Sequence, residues 1–169
     1  RPGVTGDESA FRRNHPVVRI DALEYYVRGL RAQTTQQKHQ LLSVAARLAP
    51  TFSLPCYQLG KLNFFALKHY GAAAEWFQKV REGDSHYRES LFYLGLSRYN
   101  SGDFSGAAAP LRTLAGMLPL PEVLNNLGAV LVRLNDPEAL DCFRKAMESD
   151  PSESDYAFNA AYTLWRRSD

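Results

Sequence analysis

A pattern that repeats about every 34 residues is the strongest constraint on what this chain can fold into. The dipeptide Leu-Gly recurs with its glycine at Gly60, Gly95 and Gly128, which are 35 and then 33 residues apart. Similar sequence surrounds each dipeptide, so the chain contains three consecutive units, residues 53–87, 88–120 and 121–153. A unit of this length cannot bury its apolar face alone and becomes stable by stacking on its neighbours.

Each unit has the pattern of two amphipathic helices joined by a tight turn. In the third unit, apolar residues follow helical spacing on both sides of the turn, at Leu124, Leu127, Leu131, Leu140, Phe143 and Met147. The turn itself, residues 135–137, reads Asn-Asp-Pro, and Ser-Gly-Asp at residues 101–103 has the same place in the second unit. Two short helices joined in this way form an antiparallel hairpin.

Small residues mark the place where the two helices of a unit are expected to cross closely. They are the glycine of the first helix and an alanine early in the second helix, at Ala73, Ala107 and Ala139. Larger side chains four residues further on are expected to fill the gap between pairs, at Phe77, Leu111 and Phe143. Pro151 ends the third unit, because proline cannot continue a helix.

This pattern resembles the tetratricopeptide repeat, a two-helix unit of about 34 residues. The resemblance implies an all-α fold, a right-handed superhelical solenoid of antiparallel helix pairs. Residues 154–167 resemble the first helix of a further unit, with Ala161 at the glycine position, and residues 19–52 resemble a degenerate unit. Residues 1–18 are predicted to form an extended arm, and the solenoid is predicted to continue from there to residue 169.

The degenerate unit and the first complete unit depart from the pattern. The first helix of the degenerate unit is expected to contribute Leu23, Tyr26, Val27 and Leu30, and its second helix Leu41, Leu42, Ala45 and Leu48. Lys38 falls where the small alanine is expected, which weakens the predicted packing there. The first complete unit has one extra residue, which we place at the turn around residues 68–70.

The composition argues against a nucleic-acid partner and against a membrane-spanning helix. Twenty Lys and Arg against 18 Asp and Glu give a formal net charge of +2, without the basic stripe that nucleic acid requires. No apolar stretch approaches the roughly 18–20 residues of a membrane-spanning helix, and no signal segment opens the sequence. Because the chain begins Arg-Pro-Gly and its last helix lacks a partner, we interpret it as a soluble part of a longer bacterial protein. The sequence does not distinguish the cytoplasm from the periplasm.

Residue types that carry catalysis or bind metals are scattered. The four histidines, His15, His39, His69 and His86, have no metal-site spacing and no neighbouring cysteine. Cys56 and Cys142 fall in different units and are expected to be free, buried thiols. The glycine-rich segment 101–106 lacks the lysine and the preceding strand of a phosphate-binding loop. We therefore predict no catalysis, no metal and no cofactor.

The resemblance places the first helices on the inner face of the solenoid, which is the predicted functional surface. Aromatic rings and Arg on such a face are good anchors for a protein partner, and asparagine amides can bind a peptide backbone. The residues predicted to line a partner-binding groove are Tyr57, Gln58, Lys61, Phe92, Tyr93, Asn125, Asn126, Arg133, Phe158, Asn159 and Tyr162. Glu89, Glu122, Trp165 and Arg166 share the same face.

Other interpretations of this face stay open. Phe64 and Tyr99 can equally pack between neighbouring units, and the groove can be filled by the chain's own arm or by a second copy. One subclass of the family is excluded. Members that clamp the acidic tails of heat-shock chaperones use a set of Lys, Asn and Arg residues here, whereas this chain has Glu89, which repels a carboxylate.

The leading hypothesis is a scaffold that binds a protein or peptide in the groove. The alternatives are a structural solenoid that forms homo-oligomers through its last helix, near Leu164 and Trp165, and a regulatory or spacer domain attached to an enzyme or sensor. In each case, Tyr156, Ala160 and Leu164 on the last helix are expected to need a partner.

Overall fold

The computed structural model describes residues 17–168 of the chain and the side chains of residues 17–166. The described residues contain nine α-helices, one π-helix and no β-strand. The helices are α1 (Ile20–Arg31), α2 (Thr35–Leu48), α3 (Ser53–Lys61), α4 (Tyr70–Phe77), α5 (Tyr87–Asn100), α6 (Phe104–Met117), α7 (Pro121–Arg133), α8 (Ala139–Ser149) and α9 (Ser154–Ser168). The all-α prediction is confirmed, and all but the last two residues of the predicted arm lie outside the described residues.

The helices form four pairs followed by a single helix. Within the pairs, α1 packs on α2, α3 on α4, α5 on α6 and α7 on α8. Each second helix also contacts the first helix of the next pair. In addition, α7 contacts both α5 and α9, so first helices of neighbouring pairs lie side by side. This succession of contacts between neighbours in the sequence is that of a solenoid.

Capping residues explain where several helices begin. Thr34 Oγ1 accepts a hydrogen bond from the backbone N–H of Gln37 at 3.2 Å and caps α2. The Asp103 carboxylate accepts one from the backbone N–H of Gly106 at 2.8 Å and caps α6. Pro121 is the first residue of α7, where the missing N–H of proline would have no partner in the helix.

In every pair, a glycine on the first helix faces a large apolar side chain on the second. The four combinations are Gly29 with Leu42, Gly60 with Phe77, Gly95 with Leu111 and Gly128 with Phe143. A Cβ atom at these glycines would lie only 2.5–2.9 Å from the facing side chain, which is closer than real Cβ contacts. The four large side chains are almost completely buried, so this contact sets the distance between the two helices.

The first pair has the same contact, but the apolar residues of α1 do not lie where the pattern predicted. Ala22 and Gly29 are buried, whereas Leu23, Val27 and Leu30 are exposed. The prediction that these three residues form a core is therefore wrong. The physical reason is the close approach of α2, which leaves room only for small residues on the side of α1 that it covers.

The extra residue of the second pair is accommodated inside its first helix. After α3 the chain continues as a π-helix over Leu62–Leu67 and ends at Lys68, whose backbone is left-handed with φ of 56°. The buried Asn63 side chain donates a hydrogen bond from Nδ2 to the carbonyl of Leu59 at 2.8 Å, which stabilises the wider turn. Wider turns of this kind are frequent at functional sites.

We expect Gly95→Ala to destabilise the protein, because the new Cβ would lie 2.5 Å from Leu111 Cγ. Overpacking of this kind costs about 1–3 kcal/mol. Gly116→Ala in α6 is the matched control, since a Cβ there would meet no atom within 4 Å. Replacing glycine with a better helix former leaves the stability equal or raises it by up to about 1 kcal/mol. Urea unfolding followed by circular dichroism measures both, and equal stability of the two variants would contradict the close approach at Gly95.

Candidate functional site

The helices α3, α5, α7 and α9 lie next to one another and present the surface that we call the inner face. Their residues occupy equivalent positions relative to the glycine of each helix, with Ala161 at that position in α9. The position three residues before the glycine holds Tyr57, Phe92, Asn125 and Phe158. The next position holds Gln58, Tyr93, Asn126 and Asn159. The predicted groove residues thus fall mainly in two rows that cross the inner face.

Tyr57 belongs to the core rather than to an accessible groove. It is 3% exposed, its ring stacks on His86 with centroids 4.0 Å apart, and it meets the edge of Phe77 at 6.4 Å. Burial and a hydrogen bond with Glu89 raise the pKa of its hydroxyl far above the usual value. A partner could reach this ring only by displacing its neighbours, so its position does not favour the predicted contact role.

The neighbours of Tyr57 on α3 are also engaged by other groups of the protein. Gln58 forms a hydrogen bond with the hydroxyl of Tyr26 on α1. The Lys61 ammonium lies 5.2 Å from the centre of the Tyr57 ring, within the range of a cation–π contact. Both side chains are half-buried. The α3 part of the predicted groove is therefore largely committed to internal contacts.

Tyr93 lies at the centre of an aromatic cluster that joins the second and third pairs. Its ring centroid is 5.2–5.6 Å from those of Phe64, Phe65, Phe77 and Phe92. Phe65 is the most exposed of these rings, and it lies in the π-helical turn. The sequence pattern does not single out Phe65, because its position depends on how the extra residue is accommodated.

The asparagine amides of the inner face are partly used within the protein. Asn159 Nδ2 donates a hydrogen bond to Asn125 Oδ1 at 2.9 Å, which ties α9 to α7. Asn126 Nδ2 donates to the carbonyl of Glu122 in its own helix at 2.7 Å. These bonds hold the amides in position, and they leave fewer donors for a ligand than the sequence implies.

The most exposed part of the inner face is on α9. Phe158 and Trp165 are 68% and 61% exposed, and Tyr162 lies between them with ring centroids 6.3 and 5.8 Å away. We call these three rings the aromatic strip. Tyr156 and Ala160 are buried in clusters with residues of α7 and α8. The prediction that these two residues need a further partner is therefore wrong, because helices of the same chain cover them.

A cavity of about 450 Å³ lies next to the aromatic strip, between α7 and α9. Tyr99, Arg133, Asn159, Tyr162 and Arg166 are among the residues that line it. Three predicted groove residues, Arg133, Asn159 and Tyr162, are thus brought together in one cavity. Tyr99 also packs against the core, in agreement with the alternative interpretation of this residue.

The described residues offer little for catalysis or metal binding. Burial raises the pKa of the thiols of Cys56 and Cys142, which are both free, and this favours their weakly nucleophilic protonated form. Across the described part of the chain, no three His, Cys, Asp or Glu side chains come together as a metal site would require. None of the described helices is both long and apolar enough to cross a membrane.

Solved structures of proteins with low sequence identity share this fold. MamA from Desulfovibrio magneticus RS-1, from residue 41 to its end, matches with a TM-score of 0.73 and 21% identity over 90% of this chain and 89% of that chain. A double mutant of MamA RS-1 gives a TM-score of 0.76 and 20% identity over 90% and 88%. YrrB, described as a TPR protein with an unusual peptide-binding site, gives 0.74 and 18% over 95% and 83%. No protein-family model and no curated protein matches the sequence.

These likenesses define the architecture of the chain. Each of these matches covers about nine-tenths or more of this chain, at sequence identities that establish a shared fold and nothing finer. Together with the four glycine-centred pairs, they identify the described part of the chain as a solenoid of the tetratricopeptide repeat type. The fold predicted from the sequence pattern is confirmed.

We expect Tyr57→Ala to destabilise the fold rather than to report on binding. Removing a buried aromatic side chain costs about 3–5 kcal/mol, and here it removes the contacts with His86 and Phe77. Asn126→Ala removes one exposed hydrogen bond within its own helix and should cost less than about 1 kcal/mol. Thermal unfolding of the two variants measures the difference. If both melted at the same temperature, Tyr57 would not be part of the core.

Proposed function

We propose that this protein is a scaffold that binds a peptide, or an extended segment of a protein partner, on its inner face without catalysing a reaction. The observation that carries this proposal is the aromatic strip on α9. Large, rigid and exposed rings bury much apolar area at a low cost in conformational entropy. YrrB, which shares the fold, is described as having a peptide-binding site, and this supports the same class of function.

The proposed binding surface extends from the aromatic strip into the cavity between α7 and α9. Apolar side chains of a ligand would pack on the strip, while polar groups of the cavity orient its backbone. The Asn125 carbonyl oxygen accepts the bond from Asn159, and Asn125 Nδ2 donates to no group of the described residues. This donor is therefore available for a backbone carbonyl of the ligand.

The chemistry of this surface favours binding over catalysis. The groups that line the strip and the cavity are mainly rings, amides and guanidinium groups. Such groups hold a ligand, but they do not exchange protons readily near neutral pH. Because fold alone does not decide function, the proposal depends on these side chains rather than on the solenoid itself.

We expect the combined change Phe158→Ala and Trp165→Ala to abolish peptide binding while leaving the fold intact, because both side chains are mostly exposed. The measurement is selection of a displayed library of random 12-residue peptides on the immobilised protein. Met117→Ala with Leu118→Ala is the matched control, since it removes two exposed apolar side chains at the end of α6. Peptides that bind the wild type and the strip variant equally well would place the binding site elsewhere.

Self-association through α9 is a second candidate function. Leu164 and Trp165 are 47% and 61% exposed near the end of this helix, and Phe158 is exposed further along it. Clustered apolar side chains at a surface favour association with a complementary surface, including that of a second copy.

If the protein self-associates through α9, we expect its apparent molar mass to rise with its concentration. Trp165→Glu should return it to the mass of one chain, because a carboxylate in an apolar contact is costly. Light scattering over a concentration series measures both. A wild type that stays monomeric over the whole series would eliminate this candidate.

A further inference from the structure

Charges of opposite sign follow the two edges of the inner face. The acidic edge is formed by the residues six positions before the glycine position, in the first turns of α5, α7 and α9. They are Glu89, Glu122 and Asp155. The basic edge is formed by Arg133 and Arg166, which lie five positions after the glycine position near the ends of α7 and α9. All five side chains are exposed. Eleven residues of helix separate the two edges by about 16 Å.

Helix dipoles explain part of this arrangement, since acids near a helix N-terminus and cations near its C-terminus stabilise the helix. They do not explain why the two arginines share one cavity. Arg133 and Arg166 both line the cavity of about 450 Å³, beside Asn159 and Tyr162. Two guanidinium groups around one cavity repel each other, so an anion bound between them is attracted by both.

Neither arginine has a carboxylate partner among the described residues. Other arginines of the protein do form such pairs, and Arg112 contacts carboxylates on two residues. One acid, Asp136, lines an adjoining cavity together with Arg166. Its carboxylate is held by Arg112 at 2.9 Å, which reduces the field that it exerts on Arg166.

Arg133 is also held in a defined position. Its guanidinium carbon lies 4.3 Å from the centre of the Phe104 ring, and that ring meets the edge of Tyr99 with centroids 5.4 Å apart. A guanidinium that stacks on a ring keeps the N–H groups at its edge available. Its planar fork matches a carboxylate through two parallel hydrogen bonds, and a side chain already held in place loses less entropy on binding.

We propose that the part of the inner face between α7 and α9, at the edge opposite to Glu89, is specific for an acidic peptide. An Asp or Glu side chain of the ligand binds between Arg133 and Arg166, and a neighbouring apolar side chain of the ligand packs on the aromatic strip. This inference rests on the proposed peptide-binding function. The acidic edge formed by Glu122 and Asp155 repels the same carboxylate, so the ligand crosses the inner face in one orientation.

Selection from the random 12-residue library tests the inference directly. We expect the peptides retained by the wild type to be enriched in Asp and Glu next to an apolar residue. These peptides are then synthesised with amidated C-termini, so that their only carboxylates are on side chains. They should bind the variant Arg133→Gln with Arg166→Gln at least about tenfold more weakly than they bind the wild type. Their binding to the wild type should also weaken as the salt concentration rises. Arg144→Gln on α8, an exposed arginine of a second helix, is the control and should bind like the wild type.

The outcomes separate this inference from the function on which it rests. If peptides bind the wild type and depend on the aromatic strip, but show no acidic enrichment and bind the double arginine variant equally well, the inference is wrong while the scaffold function stands. If the library gives no binder at all, both are wrong. Circular dichroism of the double variant verifies its fold, and Arg133→Lys with Arg166→Lys should recover part of the affinity by restoring the charge without the fork.

Discussion

In each pair of this solenoid, the backbone of the first helix is touched by a large side chain of the second, and this is possible only because a glycine lies at the point of contact. The absent Cβ at Gly60, Gly95 and Gly128 lets the rings of Phe77 and Phe143 and the side chain of Leu111 approach the first helix directly. The contact decides which side of the first helix is buried. On α3, α5 and α7 it therefore also decides which side remains for the inner face.

The sequence predicts the architecture well because the signal for it recurs. Three copies of Leu-Gly, each followed by turn residues and a second apolar stretch, leave one arrangement that buries all the apolar faces. The first pair is harder to predict. Its glycine, Gly29, follows Arg28 instead of a leucine, and the large apolar residues of α1 do not lie on the buried side of the helix that holds Gly29. There the backbone contact prevails over hydrophobicity, and Leu23 is exposed while Ala22 is buried.

The candidate site is less predictable, because exposure depends on what lies beside each helix and not on the position in the repeat alone. Phe92 and Phe158 have equivalent positions, yet α7 covers part of the first while the second is 68% exposed. Tyr57 shares that position too and is buried, because His86 stacks on its ring. The π-helical turn adds a further local effect by bringing Phe65 against Tyr93. Such effects depend on geometry between pairs, which a repeat pattern does not encode.

Because each helix packs mainly on its neighbours in the sequence, a ligand on the inner face would change the local stability of nearby helices more than that of distant ones. α9 packs mainly on α8 and, to a smaller extent, on α7. In a one-dimensional array the cooperativity of folding passes through each interface in turn, so α9 is coupled to the other described helices mainly through α8. A ligand held by α7 and α9 would act as an extra link between the last units and slow the exchange of their amide hydrogens. The first two pairs are connected to α7 and α9 only through the intervening helices, so the local stability of these two pairs would change little.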